Sequence, residues 1–300
     1  MTEKTFEVFG LGQCTLDFLG KTNTYPPPDT KCELNELTQA GGGPVATALS
    51  ALTRWGHSCL ISSMIGDDDY GERIRSSLTR EGIDTSELHI RPESESQIAF
   101  VVVQPGDGQR TIFWRRATGK ALTPEEVNET SLQRAKVLHT DGQLVEASLK
   151  AARTARKHQI PTVVDGGSLR PGMLELARES DFFIASEKFG QALTGGDSPT
   201  EACRKLAEFG PELAAITLGN RGCTACSNGE TFHIQAYPAQ PIDTTGAGDV
   251  FHAGFIHGLL KKWCTARSLD FGAWAAAKAT EHLGGRTGIP RTSDYEADAG

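Results

Sequence analysis

The sequence has few cysteines and no pattern that would make them a structural framework. Seven cysteines occur among 300 residues, which is an odd number at scattered positions. Only Cys223 and Cys226 form a C-x-x-C pair, and neither a second pair nor two nearby histidines accompany it. This spacing argues against a zinc site and against a disulfide scaffold. We therefore expect free thiols in a reducing compartment, which favours the cytoplasm.

Long apolar runs and an excess of positive charge are also missing. No segment reaches the roughly 18 apolar residues that a membrane-spanning helix needs, and the start, MTEKTFEVFG, lacks the apolar core of a signal peptide. With 30 Lys and Arg against 38 Asp and Glu, the net charge is −8. Because a general nucleic-acid binder usually carries a basic face, we expect neither a nucleic-acid nor a membrane partner.

The order of apolar segments predicts a mostly parallel sheet with helices on both faces. Strand-like and helical stretches alternate between residues 137 and 218, a pattern typical of an α/β domain. Earlier in the chain lie a proline-rich stretch at 25–31 and two β-branched runs at 98–104 and 111–114, joined by a hairpin-like PGDGQ segment. We expect these early segments to form a small β appendage, and residues 294–300 to form a frayed tail.

The strongest chemical feature is DTTGAGD at 243–249, which is followed by the helical run VFHAGFIHGLL. Gly246 and Gly248 lack side chains, so backbone N–H groups can approach a ligand closely. They stand just before a helix, where unpaired N–H groups and the helix dipole attract anions. Asp249 adds a carboxylate that could accept a proton from an attacking hydroxyl while the N–H groups hold a transferring phosphoryl group.

The same segment also has a purely structural interpretation. An aspartate after a glycine turn is an ordinary start for a helix, and a bare G-x-G-D would favour that interpretation. The segment is not a Walker A loop, because no G-K-[ST] follows the glycines and the P-loop lysine is missing. The full DTTGAGD string favours the phosphate site.

A specific resemblance adds to this interpretation. DTTGAGDVFHAGF resembles the C-terminal signature of the ribokinase-like (PfkB) carbohydrate kinases, and GGGPVATALSALTRWG resembles their N-terminal signature. IGDDDYGERIRSSLTREGID, ITLGNRG and GGRTGIP extend the resemblance over nearly the whole chain. It implies a single α/β/α sandwich over residues 1–300, with a β lid built from about 13–40 and 95–118. It also implies a cytoplasmic, Mg²⁺-dependent kinase that transfers the γ-phosphate of ATP to a sugar hydroxyl and forms a homodimer through the lid.

The resemblance also assigns roles to residues. Asp249 is the catalytic base, and the backbone of Gly246, Ala247 and Gly248 is the anion hole. The residues on the sugar side are Asp17, Gly42, Gly43 and Thr47. The residues on the ATP side are Thr217, Gly219, Gly222 and Thr245. Asp243 and Thr245 lie where relatives bind a monovalent cation such as K⁺, and Arg110 occupies a lid position. Considered alone, Asp17 and Arg110 would be ordinary solvated charges, and the glycines an ordinary turn into a helix.

Two positions depart from the family pattern. Thr47 stands where the N-terminal signature usually carries Asn, which removes an amide able to donate and accept together. The family's N-x-x-E stretch, which arranges magnesium and phosphate, corresponds to Ser186-Glu187-Lys188-Phe189. Ser186 replaces Asn and Phe189 replaces Glu, so we expect Glu187 to reach the metal through a water molecule. The structural alternative is that Glu187 only favours the start of a helix.

Two other functions stay open at this point. A nucleoside kinase of the same family would need an apolar or aromatic slot for the base, and Phe18, Tyr25, Phe100 and Trp114 do not decide this. A non-catalytic sugar or nucleotide sensor would fit the altered N-x-x-E stretch, although a pure binder has no need of the aspartate in GAGD. ATP hydrolysis that rises with one particular sugar would separate the three functions.

Overall fold

The structure, a computed structural model, describes residues 5–104, 108 and 110–298. Its strands are β1 (Val8–Leu11), β2 (Thr15–Lys21), β3 (Glu36–Gly42), β4 (Cys59–Gly66), β5 (Asp84–Arg91), β6 (Ile98–Val103), β7 (Arg110–Arg115), β8 (Val137–Thr140), β9 (Thr162–Gly166), β10 (Phe182–Ser186), β11 (Leu213–Thr217), β12 (Cys223–Ser227) and β13 (Glu230–Ile234). Its α-helices are α1 (Pro44–Arg54), α2 (Asp69–Arg80), α3 (Glu129–Gln133), α4 (Val145–Lys157), α5 (Met173–Arg178), α6 (Glu187–Thr194), α7 (Pro199–Ala207), α8 (Ala247–Leu260), α9 (Thr265–Ala279) and α10 (Ser293–Asp298).

The larger sheet has nine strands in the order β13-β12-β11-β10-β9-β8-β1-β4-β5. β12 runs antiparallel to β11 and β13, and the remaining neighbours are parallel. Successive residues of a strand point to opposite faces, so Phe183 joins one hydrophobic cluster and Ile184 joins the other. The three-layer α/β sandwich predicted from the sequence is thereby confirmed.

Helices cover both faces of this sheet. One cluster contains apolar side chains of α1, α2, α8 and α9, and the other contains those of α3 to α7. α8 lies between α1 and α9 and is buried at nine consecutive positions, from Val250 to Gly258. Its sequence is apolar on all sides, which is typical of a helix enclosed by other elements. This packing fixes the first turn of α8 at the carboxyl edge of the parallel strands.

A second sheet of four strands, in the order β3-β2-β6-β7, forms the β appendage. The two β-branched runs at 98–104 and 111–114 are its antiparallel pair β6 and β7. The predicted hairpin turn at 105–109 lies outside the described residues except for Gly108. The register places Asp17, Ala99 and Trp114 side by side on one face, while Phe18, Phe100 and Phe113 share the other. We call this sheet the lid.

The prediction of a frayed tail at 294–300 is wrong over residues 294–298, which belong to α10. Tyr295 is buried, and its hydroxyl donates to Asp270 Oδ2 of α9 at 2.6 Å. Its ring also contacts the rings of Trp263, Phe271 and Trp274. A single aromatic residue therefore holds an otherwise polar segment against the body of the protein.

Candidate active site

The predicted anion hole lies at the start of α8. Gly246 is the N-cap, and its φ of 75° belongs to the left-handed region that favours glycine. A Cβ on Gly246 would lie 2.6 Å from the Cα of Gly285, so no other residue fits there. Gly248 differs, because a Cβ on it would meet no atom within 4 Å. The first turn of α8 therefore faces an open space at Gly248 that can hold a ligand, while the Ala247 N–H donates to the Thr244 carbonyl at 3.3 Å.

Asp243 braces the turn before α8. It is fully buried, and its Oδ1 accepts the backbone N–H of Thr245 while its Oδ2 accepts that of Gly284, both at 2.8 Å. The turn is thus tied to the loop that contains GGRTGIP. The hydroxyl of Thr245 is buried without a protein partner. An orphaned hydroxyl beside these backbone groups fits the oxygen-rich surroundings that a nucleotide phosphate or a monovalent cation requires.

The Asp249 carboxyl lies in the first turn of α8 in acidic surroundings. Burial raises its pKa well above the usual value, and the neighbouring carboxylates of Asp165 and Asp141 raise it further. The guanidinium of Arg110 opposes this rise. A carboxylate with increased proton affinity next to free N–H groups has the properties of a general base for a hydroxyl that attacks a phosphoryl group.

The lid contacts the turn before α8 directly. Arg110 Nη1 donates to Thr244 Oγ1 at 2.6 Å, and the Thr244 backbone N–H donates to the carbonyl of Gly108 at 3.3 Å. Arg110 was predicted only as a lid residue, and the structure brings it to the loop that carries Asp249.

On the acceptor side, Asp17 of β2 is buried, and its Oδ1 accepts the hydroxyl of Thr15 at 2.6 Å. Burial raises the pKa of Asp17, while the Thr15 hydrogen bond and the Arg286 charge oppose the rise. Its other oxygen, Oδ2, would lie 2.1 Å from a Cβ on Gly42. Asp17 therefore packs against the diglycine segment from the lid.

Close packing or backbone conformation requires glycine at each of positions 41, 42 and 43. A Cβ on Gly41 would lie 2.3 Å from Nη1 of Arg286, a buried guanidinium whose Nη2 donates to the carbonyl of Gly42 at 3.0 Å. Gly43 has a φ of 92°, in the left-handed region. Thr47, one turn into α1, is buried and donates its backbone N–H to the Gly43 carbonyl. These contacts explain the glycines before any ligand is considered.

Sequence reasoning missed several polar residues that line the cleft. Asp141 follows β8, and its carboxylate accepts the backbone N–H groups of Gln13 and Gln143 at 2.8 and 2.9 Å. Burial raises the pKa of Asp141 to about 6. Arg170 Nη2 donates to the carbonyl of Asp141, and Asp165 lies near the end of β9. Polar residues at the carboxyl ends of buried parallel strands were the available signal, because ligands bind at that edge.

Three of the four predicted ATP-side residues lie at the end of β11 and in the turn that follows it. Thr217 pairs in register with Ser186, and its Oγ1 donates to the Ala185 carbonyl at 3.3 Å. Gly219 and Gly222 bound a short 3₁₀ turn with φ values of 60° and 84°. A Cβ on Gly222 would lie 2.1 Å from the Ile234 carbonyl oxygen, so this glycine is needed for the approach of β13.

The stretch that departs from N-x-x-E forms the start of α6. Ser186 caps the helix by accepting the Phe189 N–H at 3.2 Å, and its hydroxyl donates to the Gly167 carbonyl at 2.9 Å. Phe189 is fully buried in the core. Glu187 forms an ion pair with Nη2 of Arg221 at 2.5 Å. Within the described ranges, no three His, Cys, Asp or Glu side chains are placed to hold a metal ion.

A family model described as pfkB family carbohydrate kinase matches residues 6–292. The chain belongs to this family. The family predicted from the two signatures and the predicted activity, an ATP-dependent sugar kinase, are both confirmed. In the described part of this carbohydrate kinase, no helix has the length and apolar character to cross a bilayer.

Several characterised relatives have similar lengths. The kinase is 27% identical over 299 residues to a ribokinase of Staphylococcus aureus, which covers 95% of this chain and 97% of the relative. It is 25% identical to a 5-dehydro-2-deoxygluconokinase of Halalkalibacterium halodurans, with 99% and 95% covered. A crystal structure of a candidate ribokinase from Agrobacterium tumefaciens superposes with a TM-score of 0.88 at 25% identity, covering 98% of this chain and 97% of that one.

Proposed function

We propose that this kinase transfers the γ-phosphate of ATP to a sugar hydroxyl, with Asp249 as the base and the backbone of Gly246, Ala247 and Gly248 as the anion hole. The observation that carries the proposal is the position of the Asp249 carboxyl. It lies in the first turn of α8 beside open N–H groups, in surroundings that raise its pKa. Proton acceptor and phosphoryl-stabilising donors thus occupy a single helical turn.

The acceptor sugar is placed between the lid and this turn. Asp17 accepts sugar hydroxyls with the oxygen that faces Gly42, and Gly42, Gly43 and Thr47 form the wall beside it. Trp114 shares the face of the lid with Asp17 and supplies an apolar surface for the sugar ring. Asp249 takes the proton of the attacking hydroxyl, and the N–H groups of the α8 turn hold the equatorial oxygens of the phosphoryl group.

The nucleotide is assigned to the ends of β10 and β11. Thr217, Gly219 and Gly222 border its site, and Thr245 faces its phosphates. A structure of a candidate ribokinase II from Escherichia coli, 23% identical to this chain, contains ATP and Mg²⁺. When bound, Mg²⁺ neutralises phosphate charge and makes the γ-phosphoryl group a better electrophile. We assign Glu187 to a water of that ion and the Asp243 turn to a monovalent cation such as K⁺, held mostly by backbone oxygens.

The proposed homodimer and cytoplasmic location rest on exposed aromatic side chains and on free thiols. Phe100 and Phe113, on the lid face away from Asp17, are 48% and 55% exposed. Paired exposed aromatics on a sheet favour a homodimer that forms through the lid. In this proposal the chain is a single domain, and the lid with its flanking segments spans about residues 13–40 and 95–118. The seven cysteines, all in the described part, are free thiols. Free thiols favour a cytoplasmic location, and the net charge of −8 disfavours a nucleic-acid partner.

Asp249→Asn tests the proposal. The variant should retain the fold and ATP binding but lose about 10²–10⁴-fold in kcat, the usual contribution of a positioned acid–base group. Asp69→Asn is the matched control, because Asp69 is an exposed aspartate in the first turn of α2. It removes the same charge from a helix start without touching the cleft. Sugar-dependent ATP turnover by both variants decides the matter, and normal turnover by a folded Asp249→Asn protein would exclude Asp249 as the base.

A further inference from the structure

His252 lies directly beneath the proposed base. It follows Asp249 by three residues on α8 and is 3% exposed. Its Nδ1 lies 2.6 Å from the carbonyl oxygen of Gly248, and its Nε2 lies 3.1 Å from the carbonyl oxygen of Ile184 on β10. Neither partner can donate a hydrogen bond, because carbonyl oxygens only accept.

This pair of contacts determines the protonation of the ring. A neutral imidazole carries one N–H group, so it can satisfy one of the two carbonyl oxygens and would turn a lone pair toward the other. An imidazolium carries two N–H groups and satisfies both. Among the protonation states of the ring, the imidazolium is the one that donates to both carbonyl oxygens.

The charged groups around the ring agree with a cation at this position. Asp165 of β9 places Oδ1 3.7 Å from Nε2 of His252. His139 of β8 stacks against the ring with centroids 6.0 Å apart. Burial and the charge of His252 lower the pKa of His139 to about 3, so His139 is the neutral member of the pair. Asp249, on the same helix, is the remaining charged neighbour that matters for the reaction.

The bond to Gly248 reaches the anion hole. The Gly248 carbonyl and the Asp249 N–H belong to one planar peptide unit. An imidazolium that holds the carbonyl fixes the plane of this peptide, and so the direction of the Asp249 N–H. Hydrogen bonds in a chain also polarise one another, which makes this N–H a stronger donor. The same cation offsets the Asp165 carboxylate that disfavours the ionised form of Asp249.

We propose that His252 is an imidazolium positioning residue, which fixes the Gly248–Asp249 peptide and neutralises Asp165 beneath the catalytic turn. The proposal rests on the assignment of Asp249 as the base. His252 itself touches neither substrate, and it acts through the peptide and through the charge of its neighbours.

The protonation state can be measured without any assay of activity. In ¹⁵N spectra of labelled histidine rings, an imidazolium and the two neutral tautomers give different patterns. His252→Asn identifies the signal by its disappearance, and His158→Asn, at an exposed position, is the control. We expect the signal that His252→Asn removes to be that of a doubly protonated ring at neutral pH, and His158→Asn to leave that signal in place. A neutral tautomer at His252 would overturn the proposal, whatever the role of Asp249.

Kinetics test the positioning role. His252→Phe keeps a ring but removes both N–H groups and the charge, and we expect kcat to fall by roughly 10–100-fold, as for misplacement of a catalytic group. The acid limb of the kcat/KM profile should also move to higher pH, because no cation then offsets Asp165, whose charge raises the pKa of Asp249. His252→Gln restores one N–H donor without charge, so it should recover part of kcat and leave the acid limb displaced.

Two outcomes separate this inference from the proposed function. If Asp249→Asn is inactive and the acid limb of both His252 variants coincides with that of the parent, the inference about His252 fails alone. If Asp249→Asn keeps normal turnover, the assignment of the base fails, and the ring spectrum still decides whether His252 is charged. A His252→Phe protein that does not fold leaves the ring spectrum and His252→Gln to decide.

Discussion

Arg110 Nη1 donates to Thr244 Oγ1 at 2.6 Å, although the two residues are 134 positions apart in the chain. This hydrogen bond joins β7 of the lid to the turn that precedes α8. It also places a positive charge near Asp249, where it opposes the rise in the pKa of that carboxyl. The lid therefore contributes to the electrostatics of the turn that carries Asp249.

Arg110→Gln should shift the pH dependence of the reaction. Loss of the guanidinium raises the pKa of Asp249 further, so the base becomes ionised only at higher pH and the acid limb of kcat/KM moves upward. Arg115→Gln is the control, because Arg115 lies on the same strand and pairs with Glu95 instead. Coincident profiles for the parent and Arg110→Gln would show that Arg110 has no electrostatic effect on the base.

Gly246 and Gly248 should respond differently to an added side chain. Gly246→Ala forces a side chain into the left-handed region, at a cost of about 1–2 kcal/mol, and against Gly285 as well. Its free energy of unfolding should fall. Gly248→Val should unfold close to the parent, since its Cβ meets no neighbouring atom, but its side chain would occupy the phosphate space and reduce turnover. Thermal unfolding and kcat, measured on both variants, test the pair. Normal ATP binding and turnover by Gly248→Val would exclude an anion hole at this turn.

Asp17→Ala should raise the KM for the sugar by about 10–150-fold, the value of charge-assisted hydrogen bonds to substrate hydroxyls. The KM for ATP should stay close to that of the parent. Gly42→Ala should raise the sugar KM in the same way, although it removes no polar group, because the new Cβ would displace Asp17 Oδ2. Steady-state kinetics with each substrate varied in turn check both variants. An effect confined to ATP would place Asp17 on the other side of the site.

Activity should require Mg²⁺, because phosphoryl transfer from ATP develops charge that a divalent ion must help to neutralise. Glu187→Gln should raise the Mg²⁺ concentration needed for half-maximal rate without abolishing turnover. Arg221→Gln should lower it, since the ion pair no longer occupies the Glu187 carboxylate. Three identical magnesium titration curves would leave Glu187 as a residue that only stabilises the start of α6. Sugar phosphorylation that persists in excess EDTA would contradict the mechanism itself.

The sequence predicted the parts of the site that are local in the chain. Gly246, Gly248 and Asp249 are recognisable because a glycine turn, a helix start and a carboxylate follow one another within a few residues. The contacts between Arg286 and Gly41 and between Asp17 and Gly42 were not accessible in this way. They depend on strand order and on a loop that returns to the cleft after more than two hundred residues, as in the Arg286–Gly42 hydrogen bond.

The same distinction between local and long-range contacts explains the wrong prediction for residues 294–298. The segment SDYEAD is polar and terminal, so its composition indicated a frayed end. Tyr295 orders the segment, because its ring packs against Trp263, Phe271 and Trp274. These neighbours lie too far away in the sequence for the contact to be predicted from it. Tertiary packing decides the state of such a short element, because intrinsic helix propensity contributes little over six residues.

Because α8 is enclosed by other helices, we expect its local stability to be higher than that of the lid. From Val250 onward its backbone amides lie between α1 and α9 in the main core, so they should exchange with deuterium only when the whole protein opens. The lid has a small core of its own, made by Leu19, Ala99, Val101 and Val103, and its amides should exchange through sub-global opening at a lower free energy. We therefore expect the lid to open while α8 stays closed.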